Sequence, residues 1–96
     1  MRGTSWEELL EWLSHGHEVE FIYRETPYVI QPEEDNGKAF LVIWRLGDSA
    51  VCIFKQEIPM HGDIPLECIY TVLCEKCFDG KSFREMEQDA EVTSIL

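Results

Sequence analysis

The sequence predicts an α+β domain: an antiparallel sheet of about four strands with helices packed on one face, in the order α-β-β-β-β-α-α. Three observations carry this expectation. A capped amphipathic segment opens the chain. Apolar runs in the middle are separated by short clusters of turn-forming residues. Helical periodicity returns after Pro65 and again after Ser82.

The opening helix begins at Ser5. With Glu8 this serine makes the Ser-x-x-Glu capping pattern, which satisfies backbone N–H groups that the first turn leaves without partners. Trp6, Leu9, Leu10 and Leu13 follow at i, i+3, i+4 and i+7 and form one apolar stripe. Gly16, after Ser14-His15, is a natural stop.

A period-two segment comes next. Val19, Phe21 and Tyr23 point one way; Glu18, Glu20 and Arg24 point the other, with Ile22 breaking the alternation. Glu25-Thr26-Pro27 reads as a connection and Tyr28-Val29-Ile30 as the returning strand. Pro27 must then sit off the hydrogen-bonded ladder. Pro32 to Gly37 reads as a turn with solvated charges, ending in the Asn-Gly pair that tight hairpins favour. Ala39 to Trp44 is apolar at every position and reads as a strand buried on both faces. Leu46 to Ser49 turns the chain, and Ala50 to Phe54 returns as a fourth strand.

Gln56 to Asp63, with Pro59 and Gly62, reads as an exposed loop. Pro65 suits the first turn of a helix whose apolar side is Leu66, Ile69, Val72 and Leu73. Cys74 to Gly80 breaks it. Ser82 and Glu85 repeat the capping pattern and start a short helix near Phe83. Val92 to Leu96 has strand-like composition and is read either as a short C-terminal strand or as a tail. The expected core aromatics are Trp6, Phe21, Tyr23, Phe40, Trp44 and Phe54.

Ninety-six residues make a single domain, 1–96, because the chain has no room for a second core. It is 45% hydrophobic and 11% aromatic, enough apolar surface to offset ordering entropy. Eight Lys and Arg against nineteen Asp and Glu leave a formal charge of −11. That field repels phosphate backbones and anionic membranes, so neither direct nucleic-acid binding nor membrane binding is expected. A protein partner with a basic surface is expected instead. Met1-Arg2-Gly3-Thr4 leads into no apolar signal core, so the expected location is cytoplasmic, with Cys52, Cys68, Cys74 and Cys77 as reduced thiols.

Catalytic constellations are missing. There is no Gly-x-Ser-x-Gly elbow, and Asp79-Gly80-Lys81-Ser82 lacks the upstream glycine of a phosphate loop, so it reads as a turn entering a capped helix. The chain is read as a non-enzyme with no cofactor. The alternative reading is a metal- or redox-dependent protein built on Cys74-x-x-Cys77. Cys68 and His61 are the further ligands a four-coordinate zinc would need. A redox motif should open a helix, whereas this pair closes one. His15-Gly16-His17 resembles a chelating pair, but histidine at a helix C-terminus is favoured by the dipole alone.

Two features suggest a partner surface. Trp12 lies off the main stripe of the first helix and could serve as a contact anchor. Glu85, Glu87, Asp89 and Glu91 recur at every second position; if extended, all four carboxylates line one side. Such a row would imitate a phosphate backbone and suit an inhibitor of a basic nucleic-acid-binding site. A strand edge at Val92–Leu96 would also permit pairing with a second copy.

Two segments resemble a group of small proteins found in Gram-positive bacterial genomes and their mobile elements. One is Leu9-Leu10-Glu11-Trp12-Leu13-Ser14-His15-Gly16-His17-Glu18-Val19-Glu20-Phe21-Ile22-Tyr23. The other is Asp79-Gly80-Lys81-Ser82-Phe83-Arg84-Glu85-Met86, followed by Glu91-Val92-Thr93-Ser94-Ile95. The likeness covers the two ends, roughly a third of the chain. Members often carry a Gly-Lys turn where this chain has Glu25-Thr26-Pro27, and tend to have Trp at the position of Glu87. The resemblance implies the fold and a bacterial or phage-like origin. The group has no established activity, so it transfers no catalytic residue.

Overall fold

Local signals set the ends of the helices. The Ser5 hydroxyl accepts the Glu8 N–H at 3.1 Å, and the Glu8 carboxylate accepts the Ser5 N–H at 3.1 Å, so the first capping box is closed on both sides. The same reciprocal pair joins Ser82 and Glu85. The structure, a computed structural model, describes residue 1 and residues 3–96. Its elements run α1 (Trp6–Ser14), β1 (Val19–Tyr23), β2 (Thr26–Asp35), β3 (Lys38–Arg45), β4 (Val51–Ile58), α2 (Leu66–Cys74), α3 (Phe83–Met86), a 3₁₀ turn (Glu87–Asp89) and β5 (Glu91–Ile95). The fold is the expected α+β arrangement, and the C-terminal strand is formed.

The strands make one antiparallel sheet of order β4-β3-β2-β1-β5. Two-residue turns close the first two hairpins. Arg24 and Glu25 (φ 49° and 66°) close one; Asn36 and Gly37 (φ 50° and 76°) close the other. Successive positive φ values match the twist of the flanking strands. The first turn therefore lies earlier than the expected Glu25-Thr26-Pro27, and two non-glycine residues adopt the left-handed conformation. Pro27 falls inside β2, opposite Ile22. Its carbonyl accepts the Leu46 N–H at 2.8 Å, so its backbone polar groups face β3 and the β1–β2 ladder loses no donor.

Two other boundaries differ from the sequence reading. β2 continues through Pro32, Glu33 and Glu34 to Asp35, which confines the turn to Asn36-Gly37. β4 continues through Lys55-Gln56-Glu57 to Ile58, so the loop starts at Pro59 rather than Gln56. In both cases charged side chains on one face of a strand look, in sequence, like a solvated connection.

Every helix packs on the same side of the sheet. The first two hairpin connections are tight and the third is short. The long connection from β4 to β5 carries α2 and α3 across the sheet from one edge to the other, where α1 also packs. Between layers lies a core of Leu9, Leu13, Val19, Phe21, Ile30, Leu41, Ile43, Ile69, Val72 and Leu73. Leu66 is not part of it: the residue is 52% exposed, because the buried stripe of α2 is Ile69, Val72 and Leu73.

Phe21 sits at the centre of the sheet-to-helix contact. Its ring lies 4.9 Å from Phe83, edge-on, 5.3 Å from Tyr28, stacked, and 5.9 Å from Phe78. Phe78 enters through a small turn, Asp79-Gly80, bracketed by reciprocal backbone bonds between Phe78 and Lys81. The Asp-Gly-Lys-Ser segment is thus a turn that places Phe78 and Phe83 on either side of one aromatic knot. Among the described residues, no helix is long and apolar enough to cross a membrane.

Phe83 is fully buried and joins the last helix to this knot, so Phe83→Ala should lower stability by about 3–5 kcal/mol. Denaturant unfolding followed by circular dichroism measures this. A loss below about 1 kcal/mol would mean that the α3 region does not dock as described.

Candidate functional site

The uncovered face of the sheet is the most distinctive surface of the molecule. Strand register identifies its members. One row runs Ser94, Glu20, Val29, Trp44, Cys52; the next Gln31, Val42, Lys55; the next Glu33, Phe40, Glu57. β3 thus presents Ala39, Leu41 and Ile43 to the helices and Phe40, Val42 and Trp44 to the other side. The double-faced apolar pattern is real, but only one face is covered by a second layer. The expected core positions of Phe40 and Trp44 are therefore corrected: both are half-buried on the uncovered face.

Val29 and Val42 are nevertheless only 6% and 3% exposed. Their cover comes from side chains of the same face. The Trp44 indole N–H donates to Glu33 Oε2, and Gln31 Nε2 donates to that same oxygen at 2.8 Å. Trp44 stands opposite Val29 and Glu33 opposite Phe40, so the two side chains meet over the intervening Gln31–Val42 row. The contact shields the valines and fixes the carboxylate through charge-assisted donors. Among the described residues, Glu33 Oε1 has no hydrogen-bond partner.

Trp44 and Glu33 divide the face into two hollows. The larger, of about 480 Å³, has Val29, Leu46 and Ala50 as its apolar lining, with Trp44 at one side. Glu18, Glu20 and Glu33 supply its charges; all three are half-buried, and among the described residues no basic side chain lines it. The smaller, of about 350 Å³, is lined by Phe40, Val42 and Trp44, with Glu33, Glu34 and Asp35 alongside. Lys55 lines it, with Nζ 4.2 Å from the Phe40 ring centroid, a cation–π contact. Chemically, this face can hold apolar and cationic groups.

The residues singled out from sequence lie elsewhere. Trp12 is half-buried and packs against the main core, so it flanks the interior. Glu85 caps α3 and meets Lys76 at 3.2 Å. The Ser82 backbone N–H, then Lys76, holds the Glu85 carboxyl below its ordinary range. Glu87 bonds Arg84 at 3.2 Å, and that guanidinium also stacks 4.2 Å from the Trp6 ring centroid. Asp89 and Glu91 have no ion-pair partner among the described residues and lie beside Ile22 and Arg24. The chain here is helix, 3₁₀ turn and then strand, so Glu85, Glu87, Asp89 and Glu91 do not form one extended row.

The cysteine set is not assembled. Cys74 is exposed at the end of α2, and Cys77 is half-buried beyond it. Burial, and after it the Glu75 carboxylate, pushes the Cys77 thiol up to about 11. Cys68 is raised as well, by burial and then by Glu67. Among the described residues, no group of three or more His, Cys, Asp or Glu is placed to hold a metal ion. Cys68, Cys74, Cys77 and His61 therefore do not form a zinc site. His15 Nδ1 instead lies 3.4 Å from Asp63, and His17 Nδ1 lies 3.2 Å from the Leu96 carbonyl.

Sequence reasoning missed Glu33, Gln31, Glu20 and Lys55 as members of a site. The available signal was the unbroken apolar run of Ala39–Trp44: its second face required either a further layer or a partner. Comparison with protein-family models, with curated proteins and with solved structures returned no match.

Two outcomes follow from this geometry. Trp44→Phe removes one of the two donors to Glu33 and uncovers part of Val42. It should lower stability by about 1–2 kcal/mol in urea unfolding, and an unchanged midpoint would show that the indole–carboxylate contact contributes nothing. In thiol labelling at mildly alkaline pH, Cys52 and Cys74 should react fast and Cys77 slowest, as read by mass spectrometry. Equal rates at Cys74 and Cys77 would contradict the burial of Cys77.

Proposed function

We propose that this chain is a non-catalytic acidic protein-binding domain that meets a partner's basic surface through the uncovered face of its sheet. One observation supports this above others. Phe40 and Trp44 stand half-buried around a shielded Val42 on a face that no second layer of the described residues covers, and carboxylates frame it. A desolvated apolar centre within a charged rim is the usual anatomy of a protein interface. The formal charge of −11 selects a cationic partner and speeds the encounter.

The sharper form of the proposal is an inhibitor that occupies a basic nucleic-acid-binding site in place of phosphates. In that form, the carboxylates of the sheet face carry the mimicry, rather than a row over residues 85–91. A cytoplasmic location and an origin in Gram-positive bacteria or their mobile elements belong to the same proposal. They rest on composition and on the resemblance of the two chain ends.

The test is retention from a lysate of the source cells by immobilised protein at low and high salt. The wild type should retain a protein with a basic surface, more strongly at low salt. Glu20→Lys and Ala50→Arg, both on the uncovered face, should abolish retention, whereas Asp89→Lys should not. The reverse pattern would move the interface to the C-terminal acidic region. No basic protein retained at any salt would remove the reading. Displacement of the retained partner by DNA or RNA would support the inhibitor form.

A further inference from the structure

The geometry points to the larger hollow beside Trp44 as a pocket for the guanidinium of a partner's arginine side chain, an inference that rests on the protein-binding reading. The uncovered face holds two hollows built from the same chemistry. Each combines an aromatic ring, a patch of apolar lining and three carboxylates, and they share Trp44 and Glu33 as their common wall. In the smaller hollow the chain supplies the cation itself: Lys55 lies over Phe40. That contact shows a cation resting against an aromatic ring of this face. Among the described residues the larger hollow has Glu18, Glu20 and Glu33 and no basic lining residue, which leaves its carboxylates open to a cation from another molecule.

Two features favour arginine over lysine. The guanidinium is a flat cation, less strongly hydrated than an ammonium, and suits the side of an indole. It also donates in a fork to carboxylates. Glu33 is already held in place by Trp44 and Gln31 through Oε2, leaving Oε1 without a partner among the described residues. Holding this acceptor before binding lowers the ordering cost of the contact. All three carboxylates are half-buried, which strengthens their pull on a cation relative to fully hydrated surface acids. The aliphatic stem of an arginine would lie along Val29, Leu46 and Ala50.

The test uses the full chain, ¹⁵N-labelled, and three peptides identical except at one position: arginine, lysine or citrulline within an otherwise uncharged sequence. The Trp44 indole resonance is assigned from its disappearance in Trp44→Phe. The arginine peptide should give saturable shifts at that indole and at the amides of Glu20, Val29 and Gln31. The lysine peptide should bind at least about 3-fold more weakly. Citrulline, which keeps the shape without the charge, should give no saturable shift. Glu20→Gln and Glu33→Gln should each weaken the arginine peptide by about 3-fold. Glu33→Gln keeps an oxygen acceptor for both donors, so its spectrum should otherwise match the wild type. Asp89→Asn should leave binding unchanged.

Equal shifts from the arginine and lysine peptides, or no saturable shift at the Trp44 indole, would overturn the pocket. If a basic protein retained from lysate shifts amides on another surface, the pocket fails while the protein-binding reading stands. If no basic protein is retained and no peptide shifts any resonance, both fail.

Discussion

The connectivity of the chain imposes the constraint from which the other features follow. The β1–β2 and β2–β3 turns contain two residues each, and the β3–β4 connection is short. Only the β4-to-β5 connection is long enough to lay helices over the sheet, and it crosses once, from one edge to the other. With α1 on that same side, no element among the described residues covers the opposite face. A chain of 96 residues can build two layers, and a third would need helices that this order of elements does not supply.

The uncovered face must then keep its apolar residues from water with its own side chains. Trp44 and Glu33 meet across the Gln31–Val42 row, and Lys55 lies over Phe40. Long amphipathic side chains do here what a helix does on the other side, burying apolar surface beneath groups whose polar ends reach water. Under the proposed function, the arrangement couples stability to recognition. The hydrogen bonds that hold Glu33 in place over Val42 also leave it fixed and partly desolvated at the wall of both hollows. A face closed by a second layer would have buried the valines equally well and presented nothing.

How much of this was legible depended on whether the cause was local. Both capping boxes were readable because four consecutive residues decide them, and the structure closes both. The Asn36-Gly37 turn was readable for the same reason. The Arg24-Glu25 turn was not, since neither residue advertises a positive φ and Pro27 drew attention further along. Glu33 and Glu57 read as solvated connections because alternation puts charge on one face of a strand whose other face is covered. The strand character of Ala39–Trp44 was plain. Which of its faces would lack a covering layer was not, because that depends on where the β4-to-β5 connection passes. The hollows were invisible for a related reason: their walls come from residues 18–20, 29–33 and 44–50, which only strand pairing brings together. The acidic run at 85–91 was conspicuous in sequence, yet local capping and ion pairs consume two of its four charges.

The edges of the sheet bear on why the proposed meeting surface is a face rather than an edge. Both edge strands are bulged. Ile53 is the extra residue in β4 between the pairs Ile43–Phe54 and Trp44–Cys52, and Thr93 is the extra residue in β5 between Glu20–Ser94 and Phe21–Val92. A bulge bends the strand and interrupts the row of backbone groups that another strand would read. Edge pairing between two copies must also bring together bodies of net charge −11, whose overall electrostatic interaction is repulsive. The same charge is attractive toward a basic partner, and the uncovered face is where half-buried carboxylates and apolar surface coincide. Repulsion between copies and attraction to a cationic partner thus arise from one charge distribution, and the bulged edges direct the remaining stickiness of the sheet to its face.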